Sequence, residues 1–79
     1  MEMLKYEDIY CFYFKQGLSK NGNSIYCLQF FKKMNDEYKN INSGLAGFYK
    51  FRLDKQNNIK ITSCNILYDI KHYIGNLGK

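Results

Sequence analysis

The sequence predicts an α+β fold: a four-stranded antiparallel sheet built from two hairpins, a C-terminal helix packed on one face, and a short helix between the hairpins. Three observations predict it. Residues 8–33 form two arms rich in Tyr, Phe and Ile around Asn21-Gly22, a dipeptide suited to hairpin turns. Residues 46–62 again place two short arms around an Asn-containing turn. After residue 63 the period changes: Ile66, Ile70, Tyr73 and Leu77 recur at three- and four-residue spacing, the pattern of an amphipathic helix.

Met3, Leu4 and Tyr6 precede the first hairpin and are placed to cover one of its edges. With Asn21-Gly22 as a two-residue turn, Gln16 faces Cys27, Phe14 faces Gln29, Phe12 faces Phe31, and Tyr10 faces Lys33. Side chains alternate along a strand. One face then holds Tyr10, Phe12, Phe14, Leu18, Ile25, Cys27 and Phe31, and the other Ile9, Cys11, Tyr13, Tyr26, Leu28 and Phe30. Residues 34–44 read as a short helix, with a plain loop as the alternative: Asn35 is an N-cap, Asp36 and Glu37 suit a first turn, and Gly44 ends it. Residues 46–53 read as a third strand, 54–58 as a turn with Asn57 or Asn58 at positive φ, and 59–62 as a fourth strand pairing Leu53 with Ile59. Ser63 is the expected N-cap of a helix over 63–74, with Gly75 and Gly78 as its stop.

The 79 residues make one domain with a thin core, reinforced by 14 aromatic rings. The net charge is +5, and lysine supplies 11 of the 12 basic side chains. That balance suits an anionic partner and excludes an acidic mimic of DNA. It also follows from an A/T-rich gene, which favours Lys, Asn, Ile and Tyr codons. Cys11, Cys27 and Cys64 are odd in number, without a Cys-x-x-Cys pair. They predict free thiols in a reducing cytosol and no metal centre. No apolar run is long enough to cross a bilayer.

The two faces of the first hairpin carry the functional argument. Both are apolar, whereas a half-solvated strand alternates with polar residues. One helix of about 12 residues is roughly 18 Å long and covers one face. Either Tyr10, Phe12, Phe14 and Phe31 or the set on the opposite face is therefore left over; the first set is the candidate protein interface, to be covered by residues 34–45, a second copy of the chain, or another protein. The alternative is a strongly coiled sheet with core on both sides.

A second candidate site, for nucleic acid or another anionic partner, is Phe48, Lys50, Arg52 and Lys60. These share a sheet face if residues 46–53 and 59–62 pair, and aromatic plus basic residues on an open sheet stack and neutralise single strands. Catalysis has little to stand on. His72, three residues after Asp69, is the single histidine, and such a pair is more often a solvent-side contact than an oriented base. There is no phosphate-binding glycine loop, no nucleophile elbow, and no cofactor signature.

In kind, this lysine- and asparagine-rich chain resembles the small proteins of phages and mobile elements in A/T-rich bacteria, among them anti-CRISPR inhibitors. That resemblance implies a cytoplasmic, non-enzymatic protein that sterically blocks a host protein or ribonucleoprotein complex handling nucleic acid. A small basic nucleic-acid-binding or regulatory protein is the second reading, and a toxin-type ribonuclease the third.

Overall fold

A computed structural model describes residues 1–77. The elements in order are β1 (Glu2–Tyr6), β2 (Ile9–Leu18), β3 (Ser24–Met34), β4 (Glu37–Asn40), α1 (Asn42–Tyr49), β5 (Ile59–Ser63) and α2 (Ile66–Gly75). The fold is α+β, an antiparallel sheet with a helix at its C-terminal end. Its strand order is β1-β2-β3-β4, and β5 also pairs with β3. β4 takes residues Phe31 to Met34 of the β3 edge and β5 takes Ser24 to Leu28, so the two short strands lie end to end along one long strand.

The first hairpin forms with a different register. Phe14 lies opposite Cys27, Phe12 opposite Gln29, and Tyr10 opposite Phe31. Two one-residue changes produce this. The loop is closed by Ser19 N–H donating to Asn23 O at 2.7 Å, and Gly22 N–H donates to Ser19 O at 3.0 Å. Gly22, at φ +83°, takes the left-handed conformation, and Asn21 does not, so this is a three-residue loop rather than a two-residue one. A bulge between Lys15 and Gly17 adds the second slip. A slip of one residue reverses every side chain, and a slip of two restores them. The predicted faces therefore survive from residue 9 to 14. Leu18, beyond the bulge, has slipped only once; it lies opposite Ser24, on the other face from the one expected.

Residues 34–41 are not a helix; α1 begins at Asn42, so Gly44, the expected stop, lies inside it. Met34 pairs with Glu37 across a two-residue turn, with Asn35 at φ +57°. Asn35 is a turn residue rather than an N-cap, since Asn also tolerates left-handed backbone in turns. Residues 46–53 are not a strand. They supply the second half of α1, Lys50 in the left-handed conformation at its end, and an extended exit that bridges Leu53 to Ile59. That bridge is the predicted pairing, and Asn57 takes the positive φ of the 54–58 turn. The pairing does not continue to Phe51: the Leu53–Ile59 bridge is isolated, and Ile61 pairs with Tyr26 of β3 on its other edge. Gly44 and Gly47 weaken α1 by about 1 kcal/mol each relative to alanine, so tertiary burial of Leu45 and Asn42 holds it.

The true N-cap of α2 is Asn65, whose Oδ1 accepts from Tyr68 N–H at 3.2 Å. Ser63 instead ends β5; its hydroxyl accepts from Asn65 N–H at 3.0 Å and donates to Asp69 at 2.6 Å. Gly78, expected to help stop this helix, lies outside the described residues.

The core joins Ile9, Cys11, Leu28 and Phe30 of the sheet to Leu45 of α1, Ile59 and Ile61 of β5, and Ile66, Ile70 and Ile74 of α2. Both helices therefore cover the same face. Asn42 closes the gap between β4 and β5. Its side chain accepts from Phe30 N–H at 2.9 Å and donates to Leu28 O at 3.3 Å and Asn57 O at 2.7 Å. It thus replaces the strand residue missing at that point of the β3 edge, and its burial is complete, as full satisfaction allows.

Candidate functional site: the open sheet face

With α1 and α2 on one side, the other side of the sheet has no cover from the described chain. Register places Met3 and Lys5 of β1, Tyr10, Phe12 and Phe14 of β2, Phe31 and Lys33 of β3, and Tyr38 of β4 on it. Phe12 and Phe31 meet edge to face with centroids 5.9 Å apart, as do Tyr10 and Tyr38 at 5.3 Å. Such pairs favour edge-to-face geometry because the ring edge is positive and its face negative. Between them lies a groove of about 300 Å³ lined by Met3, Tyr10, Phe12, Phe31 and Tyr38.

The groove's rim is cationic. Lys5 Nζ stands 5.4 Å from the centroid of Tyr10, and Lys33 Nζ stands 5.8 Å from that of Tyr38. Each ammonium is held by the negative face of a ring, so both positive charges flank the apolar floor. Cys27 belongs to this face and Cys11 to the covered one. Both are buried and free, and Cys64 is exposed. Burial pushes the Cys11 thiol up to about 12, which keeps it protonated and unreactive at neutral pH.

The four predicted interface residues therefore share the open face. Tyr10, Phe12 and Phe31 are half-buried at the groove, and Phe14 is exposed beyond it. Sequence reasoning missed Met3 and Tyr38. Residues 34–45 were one candidate cover for these rings, but β4 extends the open face through Tyr38 instead. The signal was Tyr38 itself, which alternates with Glu37 and Lys39 in strand fashion.

The second predicted site is not assembled on one sheet face. Phe48 is exposed on α1, Lys50 follows it at the helix end, and Arg52 is exposed on the extended exit. Only Lys60 lies in a strand, on the open face opposite Cys27, and it forms an ion pair of 3.5 Å with Asp54. Asp54 is held below the usual carboxylate range, chiefly by the backbone N–H of Asn58.

His72 and Asp69 do not form an oriented pair. Asp69 takes the Ser63 hydroxyl, and the His72 ring stacks on Tyr68 with centroids 6.4 Å apart. Among the described residues no group of three His, Cys, Asp or Glu could hold a metal ion, and no helix is long and apolar enough to cross a membrane.

Comparison with known proteins yields no match, whether to family models, to curated proteins or to solved structures.

Proposed function

We propose that this chain is a non-enzymatic binding protein of phage or mobile-element type that inhibits by steric occlusion. The open face docks on a host protein, or on the protein surface of a ribonucleoprotein complex that handles nucleic acid. The carrying observation is the uncovered groove of Met3, Tyr10, Phe12, Phe31 and Tyr38 with Lys5 and Lys33 on its rim. An apolar floor ringed by charge has the anatomy of a protein interface. The lysines select a partner whose apolar ridge is flanked by carboxylates.

Protein fits this face better than nucleic acid does. Stacked bases need ring faces lying free on the sheet, whereas these rings are engaged edge to face and leave a groove. The test is the double substitution Phe12→Ser with Phe31→Ser, read by circular dichroism and by pull-down of the host partner. The expected result is a folded protein that no longer associates. A variant that unfolds would place these rings in the core and overturn the reading. Retention of nucleic acid that salt removes, unaffected by the double substitution, would overturn it in favour of a nucleic-acid-binding protein.

A further inference from the structure

We propose that the β4 edge is a self-pairing surface, through which two copies of this chain form a two-fold dimer with one continuous sheet. The backbone points the right way. Lys33 N–H donates to Asp8 O across β2 at 2.8 Å, whereas Phe30 O accepts from Ile41 N–H at 3.0 Å on the β4 side. Bonded and non-bonded pairs alternate along an antiparallel ladder. Lys33 therefore belongs to the non-bonded pairs with β4, and its partner Tyr38 turns N–H and C=O to the open edge. All four residues of β4 are exposed.

The side chains supply the occupant's identity. Antiparallel pairing of β4 with itself about Tyr38 sets Glu37 opposite Lys39 of the second copy, and Lys39 opposite its Glu37. Tyr38 meets Tyr38 on the other face. The strand is thus complementary to itself in both charge and backbone. Within one chain the β3–β4 register sets Lys39 directly opposite Lys32, and Glu37 opposite Met34. Opposite charges in that position attract, so the second copy adds two attractions per dimer while Lys39 stays opposite Lys32 within each chain. The β1 edge offers no such match, because any register that keeps both copies' faces aligned places Glu2 opposite Leu4 or Tyr6 rather than a lysine.

The dimer has a consequence for the groove. A two-fold axis perpendicular to the sheet at Tyr38 keeps both aromatic faces on the same side. The two grooves, each ending at Tyr38, then join into one apolar strip. This inference is independent of what the groove binds.

Sedimentation equilibrium over a wide concentration range tests it on the full chain, using Glu37→Lys, Lys39→Glu and the double exchange. Each single substitution sets like charges opposite each other twice and should weaken the dimer by about tenfold or more. The double exchange should restore it, because the reciprocal pairs are rebuilt with reversed signs. These side chains are exposed, so folding is preserved and circular dichroism verifies it. A chain that stays monomeric at every concentration overturns the proposal, as does a dimer indifferent to both single substitutions. Phe12→Ser with Phe31→Ser leaves this edge intact, so loss of a partner and loss of the dimer are read separately.

Discussion

Cys11 and Phe30, opposite one another on β2 and β3, are fully buried. Tyr10 and Phe31, each one residue away on the other face of the same strands, are only half-buried, and Phe14 and Tyr38 are more exposed still. The two faces contain similar amounts of apolar side chain, so hydrophobicity alone does not decide which becomes core. The helices decide it. α1 and α2 both contribute to the core with Leu45, Ile66, Ile70 and Ile74, and the phenol of Tyr49 on α1 donates to Tyr73 O on α2 at 2.8 Å. Joined in this way, they cover one face and leave the other open.

The sharpest test of that contrast is truncation of one ring on each face. Phe30→Ala should cost about 3–5 kcal/mol, much of the roughly 5–10 kcal/mol total stability of a domain this size. Phe12→Ala should cost about 1 kcal/mol or less, since its ring is already partly in water. Urea denaturation of both variants measures the difference; equal losses would mean that the open face is core. Asn42→Ala comes next, at about 3 kcal/mol. It leaves Phe30 N–H, Leu28 O and Asn57 O without their partner, and each buried unpaired group costs about 1–3 kcal/mol. The loss should exceed that from Phe12→Ala even though asparagine brings no hydrophobic contact.

Much of this was legible in the sequence. Alternation along residues 9–14 and 26–31 sorted each strand's two faces, and the faces of the two strands match as expected because the loop and the bulge together slip the register by two residues. The register was not legible, because the bulge at Gln16 and the three-residue loop leave no mark in hydrophobic pattern. The third strand was misread for a related reason. Tyr49, Phe51 and Leu53 alternate, but Ile41, Leu45 and Tyr49 also recur every four residues, and burial of Leu45 against the sheet selects the helical period. Asn42 could not have been singled out. Its role comes from the break between β4 and β5 on a shared edge, which exists only once the strands have paired. The open-face groove was half legible: Tyr10, Phe12 and Phe31 stand out in the sequence, whereas Met3 and Tyr38 join them only through the pairing of β1 and β4, and the short alternation around Tyr38 competes with the helix-capping residues beside it.

The covered face should also reveal itself in alkali. Burial raises the Cys11 thiol from 9.0 to about 12. Above pH 9 the unfolded chain loses this proton while the folded chain keeps it, so the folded state is progressively disfavoured. The stabilisation is complete below pH 9 and falls by up to about 1.4 kcal/mol per pH unit as pH rises toward 12. Burial also raises Tyr13, Tyr49 and Tyr73, adding losses of the same sign above about pH 10. Denaturation midpoints between pH 9 and 10 isolate the thiol, and Cys11→Ala should flatten that part of the curve. An unchanged slope would mean that solvent reaches this face.

The smallest effect belongs to Asp54, which pairs with Lys60 of the open face. The backbone N–H of Asn58 is the chief cause of its lowered pKa, with help from the Asn58 side chain, Gln56 N–H and Lys60, against a partial opposing effect of desolvation. A depressed carboxylate stabilises the fold above its unfolded value of 3.8, and that contribution disappears as pH falls through the lower folded value. Asp54→Asn should therefore reduce stability slightly at neutral pH and make the acid limb shallower below pH 4. Because backbone N–H groups dominate, added salt should change the wild-type acid limb little. A strongly salt-dependent limb would instead assign the shift to Lys60, and would make the charge on that end of the open face, rather than the 54–58 turn, the feature that Asp54 controls.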